Sequence, residues 1–543
     1  MLLRIVVRRQ RELPYCDLHL AGVRRLVERR ENMRPVTIGS NRDASVDARR
    51  LRANTIGPWG LAALAIGITS PALGLYALWG PMQVAAGPIT PLIFLGAMVM
   101  TLPTAISYAL LNREAPSAGA ACTWLWSAVS PLAGFQAGLL MTTYFFMAAV
   151  AQPLMFALFF RDFLEWLHIS PPAMLTLTLG VGIACVPIAW VCLRGAEASI
   201  KSTVRLMVIE TLVVVALSVT ILAVKSAQPG AVTLAAFDPH HGSSLAGFWS
   251  AMILGVLAFC GFDVVSTAAE EAEAPREHLP KAILLTVVGI AVFWALNAWV
   301  FTLSTPDELV RLYTAQGLTA VTPAARAYWG SGNLAIILTA FTGVTAVYIS
   351  SIQGASRIVF ALARHGLLPR TLASLAGEKR VPRVAVAGLL AAVVALDLGT
   401  LALLRNGLDS FTWWANALVF FATLTFLSVN VANVGFFWRF RRRQFHYGRN
   451  LIVPMLGVLL NAYLIYAAFL SSLWQGDWRT GKSVVIVSLV LLGAQVGAVV
   501  YVRLFNSALL FQGPPMGVDK DDENTPTVLG GTDEVPAQTR TVP

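Results

Sequence analysis

Four carboxylates stand in or beside apolar stretches of this 543-residue sequence. Glu210 lies within "STVRLMVIETLVVVALSV"; Asp263, Glu270 and Glu271 lie within "AFCGFDVVSTAAEEAEAPREHLPKA", residues 258–282. An Asp near the centre of a lipid-spanning helix costs about 2.5–3.5 kcal/mol on insertion scales. The cost becomes tolerable where the carboxylate faces a wet cavity, caps the free amides of an interrupted helix, or meets a cation. Asp263 follows a glycine and precedes the polar end of its run, so any of the three fits it.

Other candidate chemistry falls away on context. "GDWRTGKS", residues 476–483, satisfies the phosphate-loop pattern letter for letter. That loop works only between a strand and a helix of an α/β domain, where its backbone amides cradle phosphates. Here it joins two apolar runs through a short connection, so no nucleotide partner is expected, and secondary transport is favoured over an internal ATPase. The 7 histidines are scattered, mostly in connections, and no H-E-x-x-H or similar ligand spacing occurs. The 5 cysteines show no paired spacing, so neither a disulfide framework nor a metal site is indicated. No cofactor and no catalytic constellation are expected.

The residues that remain must be positioned by membrane helices. Only 13% of the chain is charged, against about 25% in a soluble globular protein. "LIFLGAMVMTLPTAISYALL" and "SVVIVSLVLLGAQVGAVVYV" each have about the 20 residues needed to cross a bilayer. Twelve spans are expected, near 59–82, 88–111, 132–160, 172–193, 202–224, 246–270, 281–303, 331–356, 384–404, 412–437, 451–473 and 483–505. The fold class is therefore all-α and polytopic, with the lipid bilayer as a partner. The net charge of +11 sorts by side: 17 Lys and Arg bracket the even connections, 7 the odd ones, and 13 arginines fill the N-terminal arm. Basic residues concentrate on the cytoplasmic side, so both termini are expected inside a plasma membrane, and the charge reports topology rather than a nucleic-acid partner. Residues 1–56 read as a basic arm without a signal peptide, 57–505 as the helical domain, and 506–543 as a disordered tail. Met33 could be the true start, since residues 1–32 are basic and unpatterned.

Two of the spans look broken. The first, "LAALAIGITSPALGLYALWGP", carries Gly67, Ser70, Pro71 and Gly74 at mid-span. Proline removes a backbone donor and clashes with the preceding turn, and glycine relaxes the backbone. The sixth has Gly255 and then Gly261-Phe262-Asp263. Interruptions five spans apart are what an inverted repeat of five plus five requires, and broken helices at the midplane are where transport folds bind substrate.

Three further stretches carry a resemblance. "GFDVVSTAAEEAEAPREHLPKAI" is similar to the sixth-span signature of the amino acid–polyamine–organocation transporters. "GASRIVFALARHGLLPRTL", residues 354–372, resembles the eighth-span pattern of that superfamily, with His365 in place of the usual Asp. "APSAGAACTWLW", residues 115–126, resembles its loop after the second span, with Cys122 replacing an aromatic. The resemblance covers about 57–505. It implies the five-plus-five inverted-repeat fold, with broken helices 1 and 6 holding a small amine or amino acid, and spans eleven and twelve outside the repeat.

On that footing the substrate carboxylate is expected at the backbone around Thr69–Ala72, and the ammonium at carbonyls around Ala258–Gly261. Gly67, Thr69, Ser70, Pro71, Ala72, Phe259, Gly261, Phe262 and Asp263 form the expected substrate site. Either Phe could close over the ligand or simply pack between helices. Ser70-Pro71 departs from the superfamily's common first-span version. Glu210 resembles a fifth-span position near the cation site between spans one and eight, where a buried carboxyl could load and release a proton or serve as a static partner. Sodium is the rival coupling ion, with Ser350 and Ser351 as its hydroxyl ligands. Glu270 and Glu271, with Arg357, read as an inner gate or structural lock; Arg364 is a further candidate partner. The expected function is a secondary active permease that moves amino acids or related small amines by proton-coupled symport. An amine exchanger, or a sensor that binds without transporting, stands as the alternative.

Overall fold

The computed structural model describes residues 56–505 apart from 195, 316–318, 377–380 and 476–477. The arm before residue 56, including Met33, and the tail from 506 lie outside the described residues. So do Gly476 and Asp477 of the phosphate-loop match; its described part, Trp478–Lys482, runs into the last span.

All twelve expected spans form. They are Pro58–Tyr76, Trp79–Glu114, Pro131–Trp166, Ala173–Leu193, Ser202–Ser226, Gly247–Ala268, Pro275–Ser304, Val321–Arg364, Arg383–Leu404, Gly407–Phe440, Gly448–Ile465 and Ser483–Phe505. Among the described residues, extended structure is limited to two isolated bridges. Hydrocarbon offers no hydrogen-bond partners, so a spanning backbone must satisfy itself, and helices do.

The helix starts are written in local chemistry. Pro58, Pro131 and Pro275 stand in the first turns of their helices, where a missing N–H costs nothing. Ser130 Oγ accepts from Ala133 N at 3.2 Å, and Asn406 Oδ1 accepts from Leu408 N at 2.9 Å. Each cap takes an amide that the helix itself leaves unpaired.

The third span lies deepest: 83% of its apolar window is buried, against 28% for the eleventh and 22% for the twelfth. It packs on the fourth, eighth and tenth spans, while the second packs on the sixth and seventh. The first touches the fifth, seventh and eighth and the second half of the sixth. Outward, Val186, Leu212, Leu459 and Val490 are each more than half exposed. Apolar side chains in such positions are what a lipid bilayer covers. At the start of the first span Ile56 pairs with the chain after the sixth: Ile56 N donates to Glu271 O at 3.0 Å, and Glu273 N to Ile56 O at 2.9 Å.

Candidate functional site

Both predicted interruptions are present. The first span runs as a helix from Pro58 to Thr69, stops, and resumes at Leu73–Tyr76. Pro71 ends it by lacking a donor and by disfavouring helical backbone at Ser70. Ser70 takes φ +43°, a strained value for a residue with a Cβ. The sixth span runs from Leu245 to Phe259, breaks at Cys260-Gly261, and continues as a 3-10 turn over Phe262–Ala268. Gly261 has φ +117°, and a Cβ there would stand 2.8 Å from the Ile68 side chain. The sixth break thus touches the first, and glycine is what allows it.

The groups freed at the first break find partners in other spans. Trp294 Nε1, on the seventh span, donates to Pro71 O at 3.1 Å. Glu210, on the fifth, accepts at Oε2 from Ser70 Oγ at 2.5 Å and from Ala72 N at 3.3 Å. Ser70 Oγ in turn accepts from Leu73 N at 3.1 Å. Glu210 is fully buried and its Oε1 has no hydrogen-bond partner. The eighth span leaves room for this junction at Gly343, where a Cβ would meet Ser70 Oγ at 2.8 Å and Glu210 Oε2 at 3.3 Å. Farther along that span, Ser350 Oγ is buried without a partner and lies 3.5 Å from where a Gly67 Cβ would stand. Ser351 Oγ donates back to Val347 O at 2.8 Å, within its own helix.

Asp263 is fully buried and held by two phenols. Tyr108 of the second span donates to Oδ2 at 2.9 Å, and Tyr144 of the third donates to Oδ1. These two partners are neutral hydroxyls from distant spans. Phe262 packs edge-on against Tyr108 and beside Phe426; Phe259 packs against Trp294. Both are fully buried between helices.

A cavity opens between the two breaks. The first span contributes Ile68, Thr69, Leu73 and Gly74, and the sixth contributes Leu257, Ala258 and Cys260. Opposite them stand Ala148, Ala151 and Gln152 of the third span, Val347 of the eighth, and Phe411, Ala415 and Leu418 of the tenth. Thr69 is in the wall; Gly67, Ser70, Pro71, Ala72, Phe259, Gly261, Phe262 and Asp263 are not, and shape it through the contacts above. Of the amides around Thr69–Ala72, expected to receive a carboxylate, Ala72 N donates to Glu210 and Ser70 N to Ile66 O, while Leu73 N, next along, donates to Ser70 Oγ.

Sequence reasoning missed the walls from spans three and ten. Phe411, Ala415 and Leu418 fall at i, i+4 and i+7, one helix face, but in a helix apolar all round such a face carries no mark. Gln152, a lone amide within an apolar run, was the legible signal.

At the arginine-rich end of the sixth span two ion pairs join it to the eighth. Arg357 Nε donates to Glu271 Oε1 at 2.6 Å, both side chains almost fully buried. Arg364 Nη2 pairs with Glu270 Oε1 at 3.1 Å, each about one-fifth exposed. Among the described residues no cluster of His, Cys, Asp and Glu could hold a metal ion.

With the geometry in place, comparison with known proteins is informative. A family model described as amino acid permease matches residues 56–494. The chain is similar to the branched-chain amino acid permease BcaP of Bacillus subtilis (strain 168), at 27% identity over 379 residues, 65% of this chain and 78% of that protein. It is 24% identical to the low-affinity putrescine importer PlaP of Escherichia coli (strain K12) over 389 residues, 68% of this chain and 78% of that one. It is 24% identical to a methylthioribose transporter of Bacillus subtilis (strain 168) over 371 residues, 65% and 77% of the two chains.

Proposed function

The chain belongs to the amino acid permease family, a family of transporters rather than enzymes, and from that premise we propose that it is a proton-coupled symporter. On this reading it moves amino acids or related small amines across the plasma membrane by alternating access, with both termini in the cytoplasm. The observation that carries the reading is the cavity at the meeting point of two broken helices. A helix broken at mid-membrane exposes backbone polar groups where an intact one would not, and both breaks face the same space. Spans two and seven, and spans three and eight, are packed pairs, and a five-plus-five inverted repeat would relate the members of each pair.

Glu210 is the proposed coupling group. Its Oε2 holds Ser70 and Ala72 at the first break, while its Oε1 has no partner and is free to take a proton. A neutral carboxyl is a weaker acceptor than a carboxylate, so protonation loosens the tie between the fifth span and the break. The pairs Glu271–Arg357 and Glu270–Arg364 then act as the cytoplasmic gate: they bind the sixth span to the eighth on one side of the cavity and must part for release. Sodium is the second reading, favoured by the unpartnered Ser350 hydroxyl beside Gly67.

Uptake by purified protein in liposomes tests all of this, with proton and sodium gradients imposed separately on a pool of labelled amino acids and polyamines. The expected result is accumulation driven by an inward proton gradient, abolished in Glu210→Gln while substrate exchange persists. Accumulation that follows sodium and fails in Ser350→Ala moves coupling to the eighth span. Thermal stabilisation by a ligand without flux ends the transport reading and makes the protein a sensor.

A further inference from the structure

The wall of the cavity carries information on what fits inside it. Among the described residues, no charged side chain lines it. Asp263 is held by Tyr108 and Tyr144, Glu210 Oε2 by Ser70 and Ala72, and Arg357 Nε by Glu271, and none of the three lines the cavity. A charge brought into such a space without a counter-ion loses its hydration and gains nothing equivalent. A polyamine brings at least two ammonium groups, and lysine, arginine or glutamate brings a charged side chain beyond its α-groups.

What the wall does offer is one set of acceptors. Gln152 Nε2 donates to Ala148 O, one turn back, at 3.3 Å. That bond fixes the amide, because exchanging its ends would bring two oxygens together. Gln152 Oε1 is then an acceptor, nine-tenths buried and without a hydrogen-bond partner; buried polar atoms left so are exceptions that ask for a ligand. Across the cavity, Ala258 belongs to the last turn of the helix Leu245–Phe259, where carbonyls lack intrahelical donors. An unpartnered acceptor on a wall residue suits an ammonium. Opposite the breaks the wall is otherwise Val347, Phe411, Leu418 and three alanines, Ala148, Ala151 and Ala415, while Thr69 and Cys260 turn their hydroxyl and thiol back to carbonyls of their own helices. Those alanines leave room for an apolar side chain and give a polar one nothing to bond.

We propose that this cavity selects amino acids with an uncharged, aliphatic side chain, and that Gln152 is a specificity residue accepting a hydrogen bond from the substrate ammonium. The proposal rests on the transport reading above and narrows its substrate. Polyamines and amino acids with charged side chains are excluded for want of a counter-ion. Substituting Gln152→Glu would supply one.

The test uses the full-length protein in liposomes, with labelled valine as the probe and equal concentrations of leucine, lysine, glutamate or putrescine as competitors. Leucine is expected to compete at least about tenfold better than the other three, the scale of one unpaired charge or lost charge-assisted bond. Gln152→Leu should raise the KM for valine about tenfold, and Gln152→Glu should let putrescine or lysine compete. Ala415→Phe, which narrows the apolar end and leaves Gln152 alone, should weaken leucine more than alanine. Uptake of lysine or putrescine in preference to valine, or their competing as well as leucine, overturns the substrate class while leaving transport standing. An unchanged valine KM in Gln152→Leu overturns the role of Gln152. Absence of flux for every compound removes the transport reading itself, a distinct outcome.

Discussion

Gly261 shows how much one residue decides. Its φ of +117° and the Ile68 side chain 2.8 Å from its missing Cβ make it the contact point of the two broken spans. Any Cβ there must both adopt a disfavoured backbone and displace the first span. Gly261→Ala should therefore destabilise the protein by about 1–3 kcal/mol, seen as a lowered midpoint of thermal unfolding in detergent. Gly289 of the seventh span, where a Cβ would meet nothing within 4 Å, provides the control. Gly289→Ala should leave the midpoint unchanged or slightly raised, since alanine is the better helix former. Equal effects at the two positions would refute the close-approach argument.

Among the elements, the eighth span is tied to the end of the sixth by two ion pairs that differ in burial. Glu271–Arg357 is nearly dry, and Glu270–Arg364 is partly wet. Removing one partner of a buried pair strands the other charge and costs about 3–5 kcal/mol, whereas an exposed pair contributes about 0–1 kcal/mol. Arg357→Ala should accordingly lower the unfolding midpoint far more than Arg364→Ala. Replacing Arg357 and Glu271 together by Met and Leu should recover most of the loss, because no charge is then left unpaired. If the double replacement is as unstable as the single one, the pair acts through shape rather than charge.

For the whole molecule, the distribution of Lys and Arg predicts which end of the bundle faces the cytoplasm. Arg441, Arg442 and Arg443 follow the tenth span, and His240 and His241 lie between the fifth and sixth. Single cysteines at Arg443 and His240, introduced with the native cysteines replaced, should react from opposite sides. A membrane-impermeant maleimide applied to intact cells should label the His240 position, and the Arg443 position only after permeabilisation. The reverse pattern would invert the proposed orientation and with it the assignment of Glu270, Glu271 and Arg357 to the cytoplasmic gate.

The sequence by itself determined the number of helices, their approximate ends and the two breaks. Each of these depends on neighbouring residues: an apolar run long enough for the bilayer, a proline without its N–H, a glycine free to take positive φ. It also exposed the costly carboxylates, since a charge in an apolar run is visible in one dimension. What those carboxylates do was decided by tertiary structure alone. Asp263 meets Tyr108 and Tyr144, which lie 155 and 119 residues away in the chain, and no local pattern marks such partners. The cavity behaves likewise, for its far wall comes from the third and tenth spans. In a membrane helix the cavity-facing and lipid-facing sides are both apolar, so periodicity carries no signal there. Only packing the helices together shows which apolar face surrounds a space and which meets the lipid.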